Sequence, residues 1–393
     1  MPGSVIVSTA RTPIGKLSGA FVSQSAMDLG GHAIKAALER AGIAGDDVDY
    51  VVMGHVLQAG QGQITARQAA ANAGVPMSVP AMTVNKVCLS GINSIYLADQ
   101  MIQSGDADVV VAGGMESMTQ APYLLDKARA GYRMGNGKLI DSMIHDGLWC
   151  AFDAVHMGTG TEKYAGQMGI SREAQDELSA QSHERAAEAL KEGHFTEEIT
   201  PVEIPQRKGD PVVVSEDEGV RPGTTSDSLG KLRPAFSDDG TITAGNASQI
   251  SDGAGALVLM SVGKAEELGV TPIAELVSYG MVAGPDPSLL TQPARAIKDA
   301  LAKVDMTVGD IDLFELNEAF AAVGLASMED LGITDDIVNV NGGAIALGHP
   351  VGMSGARITM TVINELRRRG GGIGAAALCG GGGQGDAAIV RTL

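Results

Sequence analysis

The sequence is poor in aromatic side chains and in positive charge. It has one tryptophan, six tyrosines and six phenylalanines in 393 residues, which is a small supply for stacking on bases or sugars. Its 28 Lys and Arg residues are outnumbered by 47 Asp and Glu residues, giving a net charge of −19 that repels nucleic acid and anionic lipid surfaces. Nucleic acid is therefore excluded as a partner. An anionic ligand would need a local cationic patch or backbone N–H groups.

Long apolar runs, targeting signals and closely spaced cysteines are also missing. No apolar run approaches the roughly 18 residues of a membrane span, which excludes a membrane protein. The start, MPGSVIVSTARTP, has no basic segment followed by an apolar one, and the end, VRTL, matches no address signal, so a cytoplasmic protein is expected. Cys88, Cys150 and Cys379 are too far apart for a zinc site and are expected to be free thiols.

Glycine, in contrast, is abundant, with 53 of 393 residues. The sequence has neither a G-X-Y period nor a Ser/Pro-rich tract, so collagen and disordered linker are both excluded. The densest stretch has nine glycines among residues 370–385. No helix is predicted after it and no G-K-[ST] is present, so it is neither a dinucleotide fingerprint nor a P-loop. Glycine must therefore serve backbone geometry.

The chain repeats itself. AIKAALERAGIAGDDVDYVVMG, from position 33, aligns with AIKDALAKVDMTVGDIDLFELN at a shift of 263 (296 − 33), and Ser90-Gly91 aligns with Ser354-Gly355 at a shift of 264. Each copy is typical of a helix, a strand and a glycine-containing turn into a second helix. This alternation predicts an α/β fold with mostly parallel sheets covered by helices.

The hairpin predicted at the end of the second copy is interrupted in the first copy. We therefore predict a first half of residues 1–118 plus 250–269, an insertion of residues 119–249, and a second half of residues 270–393. The insertion holds more than half of the aromatic residues: Tyr123, Tyr132, Trp149, Phe152, Tyr164, Phe195 and Phe236. These rings either bind the body of a ligand or form the insertion's own small core.

The insertion also carries a dense run of positive charge, formed by Arg207, Lys208, Arg221, Lys231 and Arg233. This run is the candidate cationic patch, although such runs are more often solvated loops. His183 lies among charged residues of a helix predicted to begin after Ser171. We expect this histidine on a solvent-exposed face.

Cys88 lies between a strand-like segment and a helix predicted over about residues 89–104. A helix N-terminus favours the thiolate, which predicts a nucleophile with a lowered pKa; the alternative is a buried structural cysteine. Cys379 ends a predicted strand and opens CGGGGQG. The N–H groups of this run could bind an oxyanion, and a second cysteine also allows disulfide chemistry.

His349 precedes Pro350 in a glycine-flanked loop, at the repeat equivalent of the Cys88 turn. Equivalent turns of a duplicated fold tend to face each other, so we expect a functional His349 close to Cys88. Asn317 follows a predicted strand in NEAFA and is either functional or a helix N-cap. His55, its near equivalent in the first copy, could serve structurally.

Four segments, NKVCLSG, NEAFA, GGAIALGHPVGMSGAR and CGGGGQG, in this order, resemble the thiolase family, and within it the short-chain acetyl-CoA acetyltransferases. The resemblance extends over essentially the whole chain. It implies a five-layered α-β-α-β-α core made of two similar halves. It also implies that the insertion is a loop domain that binds coenzyme A.

The resemblance implies that two acetyl-CoA molecules become acetoacetyl-CoA and CoA, or the reverse, by a ping-pong mechanism through acetyl-Cys88. His349 would activate Cys88, and Cys379 would take the α-proton of the second acyl-CoA. Asn317 would hold a water that, with His349, binds the thioester oxygen. The N–H groups of Cys88 and Gly381 would bind the oxyanion of the acyl-enzyme.

Further positions that resemble the family would bind the acyl group and CoA: Leu148, His156, Met157, Arg221, Phe236, Ala244, Ser248 and Phe320. Among them, Arg221 would face the nucleotide end of CoA. The four glycines after Cys379 depart from the family, since many relatives have an alanine there, and they loosen the turn. Cys150 matches no catalytic position and is interpreted as structural.

No cofactor or metal is expected, because CoA is substrate and product. The expected partners are acetyl-CoA, acetoacetyl-CoA and CoA, within a homotetramer built as a dimer of dimers and serving fatty acid metabolism. Three alternatives stay open. One is a decarboxylating condensing enzyme, which needs no second cysteine. Another is an inactive lipid-binding protein of the same fold. The third is a papain-like hydrolase, against which the order Cys, Asn, His counts.

Overall fold

The computed structural model describes residues 4–393; residues 1–3, at the start of the predicted first half, lie outside the described residues. The chain begins with β1 (Ser4–Arg11), β2 (Gly15–Lys16), α1 (Ala26–Ala41), β3 (Tyr50–Gly54), α2 (Thr65–Asn72), β4 (Ala81–Val84), α3 (Ser90–Ser104) and β5 (Val109–Ser117). It continues through β6 (Tyr123–Leu124), β7 (Ile140–Asp141), a π-helix (Met143–Leu148), β8 (Trp149–Cys150), β9 (Val155–His156), α4 (Met157–Gln167), α5 (Arg172–Glu192), β10 (Val202–Ile204), β11 (Val212–Val214) and α6 (Ser226–Leu229). It ends with β12 (Ser251–Ser261), α7 (Val262–Leu268), β13 (Ala274–Ala283), α8 (Gln292–Ala302), β14 (Leu313–Leu316), α9 (Ala321–Leu331), α10 (Ala344–Leu347), α11 (Ser354–Arg368), β15 (Ile373–Gly380) and β16 (Gln384–Thr392).

The two copies of the repeat have the same strand order. The first copy has the order β4-β3-β5-β12-β1, and the second has β14-β15-β16-β13. A bridge between Phe314 and Val338 takes the place of β4 in the second copy. The two sheets join where β1 pairs with β13 over two residue pairs.

The sheets are mixed, so the prediction of mostly parallel sheets is wrong. The pairs β3–β4, β3–β5 and β14–β15 are parallel. The pairs β1–β12, β5–β12, β13–β16 and β15–β16 are antiparallel. The physical reason is that β15 and β16 are joined by a short turn, which permits only antiparallel pairing, and β5 and β12 repeat that arrangement across the insertion.

Alternate residues of each strand face different helices. Val109 and Val111 of β5 pack with α1 and α2, whereas Val110 and Ala112 pack with α3 and α11. Helix α8 covers the outer face of the second sheet. The layers are therefore α1 with α2, the first sheet, α3 with α11, the second sheet, and α8. The predicted five-layered α-β-α-β-α fold is confirmed.

The two central helices are equivalent and touch each other closely. Helices α3 and α11 have 15 residues each and begin 264 positions apart (354 − 90). A Cβ atom on Gly355 would overlap the backbone nitrogen of Ile92, and one on Gly91 would lie 2.8 Å from the carbonyl oxygen of Gly352. Only glycine allows this approach, which brings the turns before the two helices together.

The segment between β5 and β12 leaves and rejoins the first sheet at adjacent positions, because these strands pair from Val109–Met260 to Ser117–Asp252. Its longest helix, α5, begins where the Ser171 side chain accepts a hydrogen bond from the N–H of Ala174, and it ends at a left-handed Gly193. Among residues 4–393, no helix is both long and apolar enough to cross a membrane.

Candidate active site

One cavity of about 480 Å³ lies where both halves and the insertion meet. Of the predicted site residues, these border it: Cys88, Leu148, His156, Met157, Arg221, Phe236, Ala244, Ser248, Phe320, His349, Cys379 and Gly381. Asn317 is fully buried and is not part of the cavity wall. The fold thus collects positions that are up to 293 residues apart (381 − 88) in one place.

Cys88 lies in a tight turn between β4 and α3. Val87 has a left-handed backbone (φ 52°), and the Ser90 hydroxyl donates to the Val87 carbonyl at 2.6 Å and accepts from the Lys86 N–H at 2.8 Å. Burial raises the pKa of Cys88 to about 12, against an opposing hydrogen bond from its own N–H, and the charge of Glu116 adds to the rise. The expected lowered pKa is therefore wrong, because desolvation by burial outweighs the backbone hydrogen bond that favours the thiolate.

His349 is held by its backbone and by one ring nitrogen. Its N–H donates to the Gln249 carbonyl at 3.0 Å, and its Nδ1 lies 2.6 Å from the Ser354 hydroxyl oxygen. The Ser354 hydroxyl donates to the Pro350 carbonyl at 2.9 Å, so its oxygen accepts the proton of Nδ1. Burial lowers the pKa of His349 to about 3, with a smaller contribution from Arg357. The imidazole is neutral, and Nε2 is left as the basic nitrogen.

Cys379 is the next-to-last residue of β15, and Gly381 lies in the turn to β16. Cys379 is buried, and burial raises the pKa of its thiol above the ordinary value, with a further rise from Cys88. All three cysteines are free, as predicted. Leu89 packs against the hairpin, since a Cβ atom on Gly380 would lie 2.5 Å from the Leu89 Cγ. Both cavity thiols are therefore protonated at neutral pH, and the turn of Cys88 touches the hairpin that carries Cys379.

Asn317 follows β14, and its N–H donates to the Ala377 carbonyl at 3.0 Å. Helix α9 begins at Ala321 with Phe320 in the N-cap position, so the alternative that Asn317 is a helix N-cap is wrong. Within residues 4–393, neither side-chain atom of Asn317 has a hydrogen-bond partner, nor does Nε2 of His349. Unpaired buried polar atoms are rare in folded proteins, and a catalytic or ligand-binding role is one explanation for them.

Stacked rings line one wall of the cavity. His156 caps α4 by accepting the Gly158 N–H at 3.1 Å, and its ring stacks on Phe236 at 4.8 Å. Phe236 meets Phe320 edge to face at 6.3 Å. The Ser248 hydroxyl donates to the Ala319 carbonyl at 3.0 Å, which joins the end of the insertion to NEAFA. The binding wall is therefore built jointly by the insertion and the second half.

Only part of the predicted cationic patch reaches the cavity. Arg221 is the member of the patch that borders the cavity. Lys16, which was not predicted, borders it too, and neither cation forms an ion pair within the described residues. The other four predicted cations are exposed elsewhere: Arg207, Lys208, Lys231 and Arg233. The expectation for His183 is wrong, because it is buried where its Nδ1 accepts the Arg221 N–H at 3.2 Å.

Several positions that support the site were not predicted. Besides Lys16, Gln249 and Ser354 hold His349 as described above. Glu116 accepts hydrogen bonds from the N–H groups of Val56, Leu57 and Gly352, which joins the loop after β3 to the turn after His349. Glu318 accepts from Ser182, Asn339 and the Ile345 N–H, which ties α5 to the same loop. Only Ser354 carried a signal in the sequence, as a member of the repeat.

Two further sequence interpretations concern side chains outside the catalytic set. Cys150 is buried, and its Sγ accepts the Asp153 N–H at 3.4 Å, which agrees with a structural interpretation. His55 is also buried and lies between Thr65 and Glu116. Among residues 4–393, no group of three or more His, Cys, Asp or Glu side chains is arranged to hold a metal ion.

Family models described as "Thiolase, N-terminal domain" and "Thiolase, C-terminal domain" match residues 4–263 and 270–392. The chain belongs to the thiolase family. It is therefore an acyltransferase, and the family resemblance of its sequence motifs is confirmed.

The chain is similar to acetyl-CoA acetyltransferases of other organisms over nearly the full length of both sequences. The chain is 56% identical to a Mycolicibacterium smegmatis protein named "Probable acetyl-CoA acetyltransferase", over 98% of this chain and all of that protein. It is 52% identical to an acetyl-CoA acetyltransferase of Cupriavidus necator, over the whole of both chains. The crystal structure of the Bacillus anthracis acetyl-CoA acetyltransferase superposes with a TM-score of 0.97 at 41% identity, covering 100% of this chain and 99% of the other.

Proposed function

We propose that this thiolase is an acetyl-CoA C-acetyltransferase. It joins two acetyl-CoA molecules into acetoacetyl-CoA and CoA, and catalyses the reverse thiolysis, by a ping-pong mechanism through acetyl-Cys88. One observation carries the proposal: two free thiols and a neutral histidine with an unpaired Nε2 belong to the same cavity. Thioester exchange needs a thiol nucleophile, and carbon–carbon bond formation needs a second acid/base group.

The first half-reaction acetylates Cys88. Because burial raises the pKa of Cys88, the thiol needs a base. Nε2 of His349, which borders the same cavity and has no hydrogen-bond partner among residues 4–393, takes its proton as sulfur attacks the thioester carbonyl. The N–H groups of Cys88 and Gly381 bind the oxyanion that forms. The C–S bond to CoA breaks, and Cys379, held protonated by burial, gives its proton to the departing CoA thiolate.

The second half-reaction uses the thiolate now left on Cys379. It removes an α-proton from a second acetyl-CoA, and His349, with a water held by Asn317, binds the enolate oxygen. The enolate carbon attacks the acetyl group on Cys88 and forms the new C–C bond. Cys88 leaves as a thiolate and recovers its proton from His349, so Cys88, His349 and Cys379 all return to their starting protonation states.

CoA is placed by the cavity wall. The stacked rings of His156, Phe236 and Phe320, with Leu148, Met157, Ala244 and Ser248, offer an apolar wall for the acyl group and pantetheine arm. Arg221 and Lys16 supply positive charge for the phosphates of the nucleotide end. We propose that residues 119–249 form this CoA-binding loop domain between halves 1–118 with 250–269 and 270–393.

Mass mapping after incubation with acetyl-CoA tests the proposal. We expect an acetyl group on Cys88 in the unaltered protein and none in Cys88→Ala. Cys379→Ser should still acquire the label, but more slowly because the donor to the departing CoA is replaced, and it should lose condensation. Cys150→Ser is the matched control that keeps both. Absence of an acetyl group on Cys88 in the unaltered protein would contradict the proposal. Retained condensation in Cys379→Ser would instead favour a decarboxylating condensing enzyme.

The remaining expectations stay predictions. They are the homotetrameric state, the cytoplasmic location, the role in fatty acid metabolism and the independence from a cofactor. Thiolysis rates across 3-ketoacyl-CoA chain lengths would establish how long an acyl chain fits beside Met157.

A further inference from the structure

A largely buried ion pair joins the turn of Cys88 to the hairpin of Cys379. The Lys86 Nζ lies 2.7 and 2.8 Å from the two carboxylate oxygens of Asp386. The Asp386 side chain is fully buried, and 22% of the Lys86 side chain is exposed. The partners are 300 residues apart (386 − 86), so only the fold brings them together.

Asp386 holds the region around Cys88 from a second direction. Its carboxylate also accepts the hydroxyl of Tyr279 at 2.8 Å, and the Tyr279 ring stacks on Tyr96 at 4.6 Å. Tyr96 belongs to α3, the helix that follows Cys88. Burial raises the pKa of Asp386, and the charge of Lys86 is the largest of the opposing effects. One carboxylate thus holds elements on both sides of the thiol.

Apolar side chains of the same turn sit on the hairpin. The Val87 methyl carbons lie 3.5 Å from the place of a Cβ atom on Gly381, and Leu89 occupies the space beside Gly380. The residues immediately before and after Cys88 therefore contact the turn that follows Cys379. A shift of the hairpin would change the placement of both cavity thiols.

We infer that Lys86 and Asp386 are positioning residues that set the placement of the Cys88 thiol relative to Cys379 and Gly381. The inference rests on the proposed function, in which groups of the turn and the hairpin act on one acyl group. Neither Lys86 nor Asp386 borders the cavity, so they act through the residues they hold. Misplacing reacting groups by about 1 Å costs up to about 100-fold in rate.

Kinetics of acetoacetyl-CoA thiolysis test the pair. In Lys86→Met we expect kcat to fall about 10- to 100-fold, while KM for CoA stays within about twofold. Lys86→Arg keeps a charged partner and should restore most of kcat. The matched control is Arg391→Gln. Arg391 lies on β16, the strand that carries Asp386, and forms an exposed 2.8 Å ion pair with Glu275 of β13. We expect no change in that control.

A double variant separates positioning from stability. Lys86→Met leaves a buried carboxylate without its cation, which destabilises the fold. Lys86→Met with Asp386→Asn removes both charges and keeps an oxygen that can accept the Tyr279 hydroxyl. We expect the double variant to regain the melting temperature but not kcat. Recovery of both would overturn the inference. If Lys86→Met fails to fold, kcat of the double variant and of Lys86→Arg still tests the positioning role.

A readout without CoA keeps this inference distinct from the proposed function. Iodoacetamide alkylation with peptide mapping reports the reactivity of Cys88 and Cys379 separately. We expect their rate ratio to change about threefold or more in the double variant and to stay constant in Arg391→Gln. An unaltered protein without CoA-dependent activity would defeat the proposed function alone. An unchanged alkylation ratio in the double variant would defeat the positioning role.

Discussion

The two halves of the molecule share their strand order and the length of their central helices but differ where they face the cavity. At a shift of 264, Cys88 aligns with Gly352, and His349 aligns with Asn85. A side chain at Gly352 has no room, since a Cβ atom would lie 2.6 Å from the Met115 carbonyl oxygen. Duplication therefore provides two facing turns, and each turn carries a different part of the proposed chemistry.

Two equivalent serines show how the halves keep a shared structural contact while their other contacts differ. Ser90 and Ser354 occupy equivalent positions and both bond back to a carbonyl of their own turn. Ser90 supports the strained backbone before Cys88, whereas Ser354 also holds the ring of His349. Equivalent residues thus keep the same structural hydrogen bond, and each serine oxygen has a different second partner, the Lys86 N–H for Ser90 and the His349 ring for Ser354.

Breaking the contact between the central helices should have the largest effect. In Gly355→Ala the new methyl group would overlap the backbone of Ile92, so we expect a loss of about 3 kcal/mol in unfolding free energy, measured by urea denaturation. Gly263→Ala in α7 is the control, because no atom lies within 4 Å of its added Cβ, and it should change stability by less than about 0.5 kcal/mol. Equal effects would contradict the close crossing of the equivalent helices.

The pH dependence of stability should distinguish His349 from its counterpart Asn85, which does not titrate. Burial lowers the folded-state pKa of His349 to about 3, below its ordinary value of 6.5. Below pH 6.5 the histidine is protonated in the unfolded chain but stays neutral in the folded protein, so the free energy of unfolding decreases as the pH falls. Relative to His349→Gln, the unaltered protein should lose about 2 kcal/mol between pH 7.5 and pH 5.

Subtracting the unfolding free energy of His349→Gln from that of the unaltered protein cancels the contribution of other titrating groups, including those that stabilise the fold as the pH falls. Burial raises the pKa of Glu315 to about 8 and that of Asp252 to about 6, and both changes favour the fold as the pH falls. Urea denaturation at several pH values measures the difference. A constant difference from pH 7.5 to pH 5 would show that His349 is protonated as readily in the fold as in the unfolded chain.

The equivalent serines provide the finest comparison. Ser354→Ala frees the imidazole of His349 to rotate, and we expect kcat/KM for thiolysis to fall about tenfold, which is about 1.4 kcal/mol. Ser90→Ala removes the partner of the Lys86 N–H and should chiefly lower stability, by about 1 kcal/mol. Parallel assays of thiolysis and urea denaturation measure both. A larger rate loss from Ser90→Ala would reverse the roles assigned to the two positions.

Much of the fold could be predicted because it is encoded locally and twice. The helix after Ser90 and the helix after Ser354 follow from periodicity, and the duplication predicts that the turns before them face each other. The error over parallel pairing has a physical cause: periodicity identifies strands, whereas strand direction depends on the connection between them. The position of His183 was missed for a similar reason, since charged neighbours on a helix do not reveal what packs against it.

The sequence by itself determined the repeat, the thiolase family and the identities of Cys88, His349 and Cys379, because these are properties of residue order. Only the tertiary structure decided that burial keeps both thiols protonated and His349 neutral, since desolvation depends on every surrounding atom. It likewise decided that Arg221 and not Arg207 reaches the cavity. Charge and spacing along a chain do not specify distance in space, which is why the pairing of Lys86 with Asp386 was invisible until the chain was folded.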